Sequence, residues 1–233
     1  MTRLHLVKPA IDVGLMTNRL AENLQFWGER VGLRFDSVLK IGGGVHQHRY
    51  DCNGSVLKLN HSRQPLEEAV TGYRRLRIAS PAADRPVALR SPDAVAVELV
   101  PPGFDGVGGI EILWRTADRE RARWFLEEGL GAERAGERFR LGTSLIALEE
   151  DPGQSRTGAR AAVGWRYLTL QIAEVEAEHD RLLGLGVEEG SSPVRLGDVA
   201  YISFIRDPDG NWIELSQRAS LTGPLPNVNL AGR

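Results

Sequence analysis

The amino-acid sequence predicts an α+β fold made of repeated modules, each with a strand, an amphipathic helix and further strands. One observation is a layout of apolar strand, helix, Gly and new strand that occurs three times, in residues 11–35, 109–135 and 166–189. A second is that each copy leads to a closing strand of alternating character, in residues 52–60, 141–149 and 207–216. Repetition at this scale indicates that whole modules are the units of the fold.

Within the copies, apolar spacing predicts the helices and turn residues predict the hairpins. The first helix carries apolar residues at helical spacing, namely Leu20, Leu24, Trp27 and Val31. In the third copy, Leu182 and Leu185 fall in matching places, and Gly186 ends the helix. Asn53–Gly54 and Asp209–Gly210 predict tight turns between strands.

A second module, residues 73–100, begins and ends like the others but is degenerate in its middle. Pro81 and Pro86 stand where the helix should be, so we expect that helix to be short or absent. Gly and Pro in residues 101–109 indicate a linker. We therefore predict two halves of two modules each and an irregular tail, with boundaries at 1–102, 107–218 and 219–233.

Composition limits the partners of this protein. The 233 residues include 29 Lys and Arg against 31 Asp and Glu, so no net field attracts nucleic acid or anionic lipid. No run of about 18 apolar residues is present to cross a membrane. Cys52 is the only cysteine, which favours a reducing compartment. We expect a soluble cytoplasmic protein with a small-molecule ligand, binding neither nucleic acid nor membrane.

The paired βαβββ units and the closing strand DPDGNWIEL resemble the vicinal oxygen chelate superfamily, which includes glyoxalase I, bleomycin resistance proteins and type I extradiol dioxygenases. The resemblance implies curved mixed sheets with helices outside and a ligand cleft inside, in a monomer or a homodimer. It also implies a divalent metal held by the first and last strands of each module. Carried over to this chain, those positions are Asp12, Lys58, Tyr73, Glu98, Glu111, Ala147, Tyr167 and Glu214.

The second half offers the better metal site. Glu111 and Glu214 point inward by strand alternation, with Tyr167 as a phenol ligand or acid. These oxygen donors favour Mg or Mn over zinc, and Fe is a further option. Four residues expected on the same face are candidates for substrate binding, namely Arg115, Thr169, Gln171 and Trp212. In the alternative, Glu111 pairs with Arg115 or Arg166 and Glu214 with another arginine, in a metal-free cleft.

In the first half, Lys58 replaces a metal ligand, and we expect it between Asp12 and Glu98 in an ion-pair cluster. The alternative is an anionic-substrate site in which Lys58 acts with Arg75 and Arg77. Both interpretations assign the positive charge of Lys58 a role inside the cleft.

His46 and His48 have the His-x-His spacing of a metal-binding pair on one face of a strand. The hairpin that follows decides which face they occupy. A two-residue turn at Asn53–Gly54 pairs Arg49 with Lys58 and directs both histidines towards the helices. A three-residue turn would place them in the cleft beside Lys58, as ligands or as a general base.

Two functions follow from the resemblance. In the first, a bound Mn, Fe or Mg supports isomerase, lyase or dioxygenase chemistry on a small oxygenated molecule, with Tyr167, His48 and Lys58 as candidate catalytic residues. In the second, the protein binds an aromatic or planar compound without metal, as bleomycin resistance proteins do, with Trp212 and Tyr167 as stacking surfaces. A third reading is an interaction module whose clefts are filled by salt bridges. The missing first-strand histidines make glyoxalase and extradiol dioxygenase activities unexpected.

Overall fold

The structure is a computed structural model that describes residues 4–226. Four modules follow one another along the chain. The first comprises β1 (Asp12–Thr17), α1 (Leu20–Gln25), a π-helical turn (Phe26–Arg30), β2 (Arg34–Lys40), β3 (Val45–Cys52) and β4 (Ser55–Ser62). The second comprises β5 (Tyr73–Ala79), β6 (Val87–Arg90) and β7 (Ala96–Val100). Between β5 and β6 the described chain forms turns and bends in place of a helix, as the two prolines predict.

The third and fourth modules keep their helices. The third comprises β8 (Ile110–Thr116), α2 (Arg119–Trp124), a π-helical turn (Phe125–Gly129), β9 (Glu133–Ala135), β10 (Arg138–Leu141) and β11 (Ser144–Glu150). The fourth comprises β12 (Gly164–Gln171), α3 (Val175–Gly184), β13 (Glu188–Leu196), β14 (Ala200–Arg206) and β15 (Trp212–Arg218). A short 3-10 turn (Phe104–Gly106) precedes β8, and α4 (Ala219–Thr222) follows β15. Across residues 4–226, no helix has the length and apolar character that crossing a membrane demands.

The strands form two mixed sheets, which confirms the predicted fold class. The first and fourth modules build an eight-stranded sheet, the N–C sheet, in the order β13-β14-β15-β12-β1-β4-β3-β2. The second and third modules build a seven-stranded sheet, the central sheet, in the order β6-β7-β5-β8-β11-β10-β9. Each sheet therefore joins one module from either side of the predicted linker. The two modules meet through antiparallel pairs, β1 with β12 and β5 with β8.

Strand alternation gives each sheet one apolar and one polar face. Leu57, Leu59, Ile213 and Leu215 lie in the same core cluster as side chains from the helices and their π-helical turns, among them Trp27, Phe125 and Leu182. Full burial of each large apolar side chain contributes roughly 1.5–3 kcal/mol. The opposite faces, called here the polar faces, carry Lys58, Thr169 and Glu214 in the N–C sheet and Arg77, Glu98 and Glu111 in the central sheet.

Candidate ligand site

Lys58 lies at the centre of the polar face of the N–C sheet. Its Nζ donates hydrogen bonds to Thr169 Oγ1 and to Glu214 Oε2, both at 2.7 Å. Thr169 Oγ1 donates to the same Glu214 oxygen at 2.6 Å. Lys58 is only 3% exposed, and Thr169 is fully buried. Because an isolated buried charge is costly, this ammonium and this carboxylate stabilise each other in the interior.

The strand register explains why these residues meet. On β1, Gly14 is paired with Lys58 of β4 on one side and with Tyr167 of β12 on the other. Thr169 is paired in turn with Glu214 of β15. A Cβ atom at Gly14 would collide with the Tyr167 ring. Glycine at this position therefore lets the phenol lie across β1, with Lys58 Nζ 5.7 Å from its ring centroid.

Tyr167 is held by a chain of hydrogen bonds that leads to β3. Asn60 Nδ2 donates to Tyr167 Oη at 3.0 Å, and Gln47 Nε2 donates to Asn60 Oδ1 at 2.9 Å. Burial, followed by the charge of Glu214, raises the pKa of Tyr167 well above its ordinary value. The phenol thus keeps its proton near neutral pH, so it is a hydrogen-bonding group here rather than a phenolate ligand.

Two arginines add positive charge to this face. Arg49 is paired with Lys58 across the β3–β4 hairpin, is 8% exposed, and donates to Gln47 Oε1 at 2.9 Å. Its Nε lies 3.8 Å from the exposed Asp36 carboxylate. Arg218 follows Glu214 by four residues on β15, so its side chain leaves the same face. Burial lowers the pKa of Arg218, and the nearby charge of Arg49 lowers it further.

Aromatic rings form the other wall of the site. Phe204 packs edge-on against Tyr167 and against Trp212, with centroids 5.9 Å and 6.1 Å apart. The Arg160 guanidinium lies 4.0 Å from the centre of the Phe204 ring, and that of Arg206 lies 4.3 Å from the Trp212 ring. The site thus combines a cationic centre with an aromatic wall.

The expected cluster of Lys58 between Asp12 and Glu98 is wrong. Asp12 instead accepts from Lys8 Nζ, from the Val56 amide at 2.8 Å and from Gln171 Nε2 at 3.0 Å. Glu98 belongs to the central sheet. The error has a simple cause: the sheets pair the first module with the fourth, so the partner of Lys58 is Glu214.

Glu111 and Glu214 do not share a site, because they lie on different sheets. The Glu111 carboxylate accepts from Arg77 Nη1 at 3.1 Å and from Arg138 Nη1 at 2.6 Å. The alternative pairing with Arg115 or Arg166 is also wrong. Arg115 contacts Glu149 and Asp151, whereas Arg166 donates to three carbonyls, those of Ala69, Val70 and Ala159.

The remaining predicted residues fall in three places. Arg75 and Arg77 lie in the central sheet, away from Lys58, and Arg77 binds Glu98 and Glu111. Gln171 is 1% exposed and holds Asp12. Tyr73, expected at a ligand position, instead stacks on Trp165 with centroids 5.2 Å apart and donates to the Trp212 carbonyl at 3.1 Å.

The histidines lie on the face of β3 opposite Lys58. Asn53 and Gly54 both have positive φ, and Cys52 is paired with Ser55, so the hairpin turn has two residues. His46 is consequently paired with His61 and His48 with Leu59. The two-residue alternative is confirmed, and His48 does not adjoin Lys58. Among residues 4–226, no three His, Cys, Asp or Glu side chains are grouped to hold a metal ion.

Sequence reasoning missed Gly14, Asn60 and Arg218. The signal for Arg218 was available, because alternation from Glu214 places it on the same face. Asn60 likewise lies two residues beyond Lys58 on β4. The role of Gly14 depends on the pairing of β1 with β12, which only the structure supplies.

Comparison with known proteins identifies the fold. Residues 109–215 match the model of the glyoxalase/bleomycin resistance protein/dioxygenase superfamily. The match covers the third module and most of the fourth, so this part of the chain is similar to the vicinal oxygen chelate superfamily. The resemblance stated from the sequence is thereby confirmed. A search of curated proteins finds no match.

Solved structures of the vicinal oxygen chelate fold match nearly the whole chain. Glyoxalase I from Zea mays is 13% identical, with a TM-score of 0.69 over 89% of this chain and 92% of that one. A candidate dioxygenase from Bacillus subtilis is 15% identical, with a TM-score of 0.68 over 94% of this chain and 86% of that one. Identities this low establish a shared fold, so the activity has to be argued from the site itself.

Proposed function

We propose that the polar face of the N–C sheet binds a small organic anion with a planar or aromatic body, without a divalent metal. The observation that carries this proposal is the buried Lys58 ammonium, bonded to Thr169 and Glu214 at 2.7 Å. It supplies a fixed positive charge where the superfamily resemblance implied a metal.

The donor set does not fit a divalent cation. Among residues 4–226, Glu214 is the one carboxylate bonded to Lys58, and a dication beside it would be repelled by the ammonium. Tyr167 keeps its proton because burial raises its pKa. Asp12 already accepts from Lys8, Val56 and Gln171. We therefore derive no metal-assisted isomerase, lyase or dioxygenase step at this site.

The charge balance favours an anion. Lys58 neutralises Glu214 and Arg49 lies 3.8 Å from the exposed Asp36 carboxylate, which leaves Arg218 as a further cation beside Arg49 on the same face. The lowered pKa of Arg218, caused by burial and then by Arg49, reflects partial desolvation beside a like charge. A carboxylate bound between these guanidiniums would relieve that repulsion and accept charge-assisted hydrogen bonds.

The aromatic wall favours a planar body on the ligand. Tyr167, Phe204 and Trp212 present rings within about one ring diameter of each other, and such surfaces bind flat molecules through offset or edge contacts. Arg160, exposed on the segment before β12, lies against Phe204. Displacement of this guanidinium would open the ring to a ligand. A binding role similar to that of the bleomycin resistance members is the function that this geometry supports best.

Paired acids and amides test the proposal. Benzoate, salicylate and phthalate would be titrated calorimetrically into the untagged protein, each beside its neutral amide. We expect at least one acid to bind and its amide to bind at least about tenfold more weakly. Arg218→Gln should weaken acid binding by a similar factor, whereas Arg115→Gln, on the central sheet, should leave it unchanged. Equal binding of acids and amides, or no acid bound, would contradict the proposal.

A further inference from the structure

A second cationic cleft opens at the β6 edge of the central sheet. It has a volume of about 550 Å³ and is lined by Arg30, Arg75, Ala88, Leu89, Arg90, Ala96, Val97 and Glu98. Arg30 ends the π-helical turn of the first module, and the other residues come from β5, β6 and β7. We call it the Arg75–Arg90 cleft. It lies on the other sheet from Lys58 and Glu214.

Strand register places two of its arginines on either side of an alanine. Ala96 of β7 is paired with Arg90 of β6 on one side and with Arg75 of β5 on the other. Adjacent strands lie about 4.8 Å apart, so the two arginine backbones are roughly 10 Å apart in a single row. Only a methyl group stands between them. Two long guanidinium side chains can therefore converge on an oxyanion seated above Ala96.

The charges of the cleft are not balanced by its own carboxylate. Glu98 is the only acidic side chain among the described lining residues. It is already bound by Arg77 Nε and lies 3.9 Å from Arg75 Nη1. The Nε of Arg75 is buried and has no hydrogen-bond partner in the described part of the chain. A buried donor without an acceptor is destabilising, and an anion oxygen would satisfy it.

We infer that the Arg75–Arg90 cleft binds a phosphate group, either as inorganic phosphate or as a phosphomonoester of a small molecule. Arg75 and Arg90 clamp the phosphate oxygens over Ala96, and Arg30 supplies a third cation from the rim. Planar guanidinium groups match tetrahedral oxyanions through paired N–H donors, which favours phosphate over a single halide ion. This site is independent of the function proposed for the N–C sheet.

Calorimetric titration with inorganic phosphate and with methyl phosphate at low ionic strength tests the inference. Arg75→Met and Arg90→Met should each weaken binding at least about tenfold. Ala96→Asp should do the same while keeping both arginines, because its carboxylate would occupy the seat of the anion. Because Ala96→Asp keeps both arginines, weaker phosphate binding by this variant would show that the anion occupies the space above Ala96.

The matched control is Arg123→Gln on α2, which lies outside both sites and should leave phosphate affinity unchanged. Circular dichroism and melting curves would show that each variant is folded; Arg90 is exposed, so Arg90→Met in particular should fold normally. Absence of phosphate binding by the wild-type protein would overturn the inference. So would variants at Arg75, Arg90 and Ala96 that all bind phosphate within about twofold of wild type.

Discussion

The two polar faces share one arrangement of acidic residues but neutralise it from different strands. In the N–C sheet, the register aligns Asp12, Thr169 and Glu214 across β1, β12 and β15. In the central sheet, the corresponding row is Glu111, Arg77 and Glu98 across β8, β5 and β7. In both rows, one carboxylate thus lies on each side of a middle residue.

The middle residue of each row, together with the residue at the position of Lys58, determines how the two carboxylates are neutralised. In the central sheet, Arg77 lies between the carboxylates and bonds to both, and Ala147 occupies the position that corresponds to Lys58. In the N–C sheet the middle residue is Thr169, and the cation comes from Lys58 on β4. In the central sheet this row is closed by its own ion pairs, whereas the polar face of the N–C sheet also carries Arg218 and Arg49, the latter 3.8 Å from the exposed Asp36 carboxylate. A small change in which strand carries the cation therefore separates a row that is closed by Arg77 from a row that is neutralised from the neighbouring strand β4.

Removal of the buried ammonium should have the largest effect on stability. Lys58→Met leaves Glu214 without its counter-ion while both neighbouring strands still bury it. We expect the free energy of unfolding to fall by roughly 3–5 kcal/mol, as for other buried pairs from which one partner is removed. Urea denaturation followed by tryptophan fluorescence would measure the change.

The matched control is the double variant Lys58→Met with Glu214→Gln. Since it removes both charges, most of the lost stability should return. A single variant as stable as wild type, or a double variant as unstable as the single one, would show that the pair does not organise this face.

An exchange of cation positions on the central sheet should have a smaller effect. Arg77→Thr leaves Glu98 without its bonded arginine, but Glu111 keeps Arg138. We expect a loss of about 1–3 kcal/mol. Adding Ala147→Lys copies the N–C arrangement and should recover part of this loss, because a lysine at this position reaches the same acidic row. Denaturation midpoints of Arg77→Thr and of the double variant would measure this recovery. Further destabilisation by Ala147→Lys would contradict the equivalence of the two rows.

Local patterns predicted the fold well. The three module copies, the proline-interrupted second module and the Asn53–Gly54 turn each depend on short-range chemistry, and the structure contains all three features. Strand alternation also placed Glu214 on the polar face. These predictions hold because side-chain direction and turn type are set within a few residues.

Long-range pairing limited the prediction of the site. No local pattern indicates that the first module joins the fourth, so the sequence alone favours Asp12 and Glu98 as the partners of Lys58 instead of Glu214. For the same reason, the sequence does not show that Arg75 and Arg77 lie on a different sheet from Lys58, or that Gly14 contacts Tyr167. Residues whose role depends on a neighbour more than a hundred positions away are visible only once sheet order is known.

The most direct test of the central claim, that the Lys58 ammonium stands in place of a metal, is a metal measurement. Untagged protein would be incubated with Mn²⁺, Fe²⁺ or Mg²⁺, desalted and analysed by mass spectrometry, alongside Glu214→Gln. We predict far less than one equivalent of metal, with no difference between the two proteins. About one equivalent in the wild type that disappears in Glu214→Gln would contradict the account and restore a metal centre at this site.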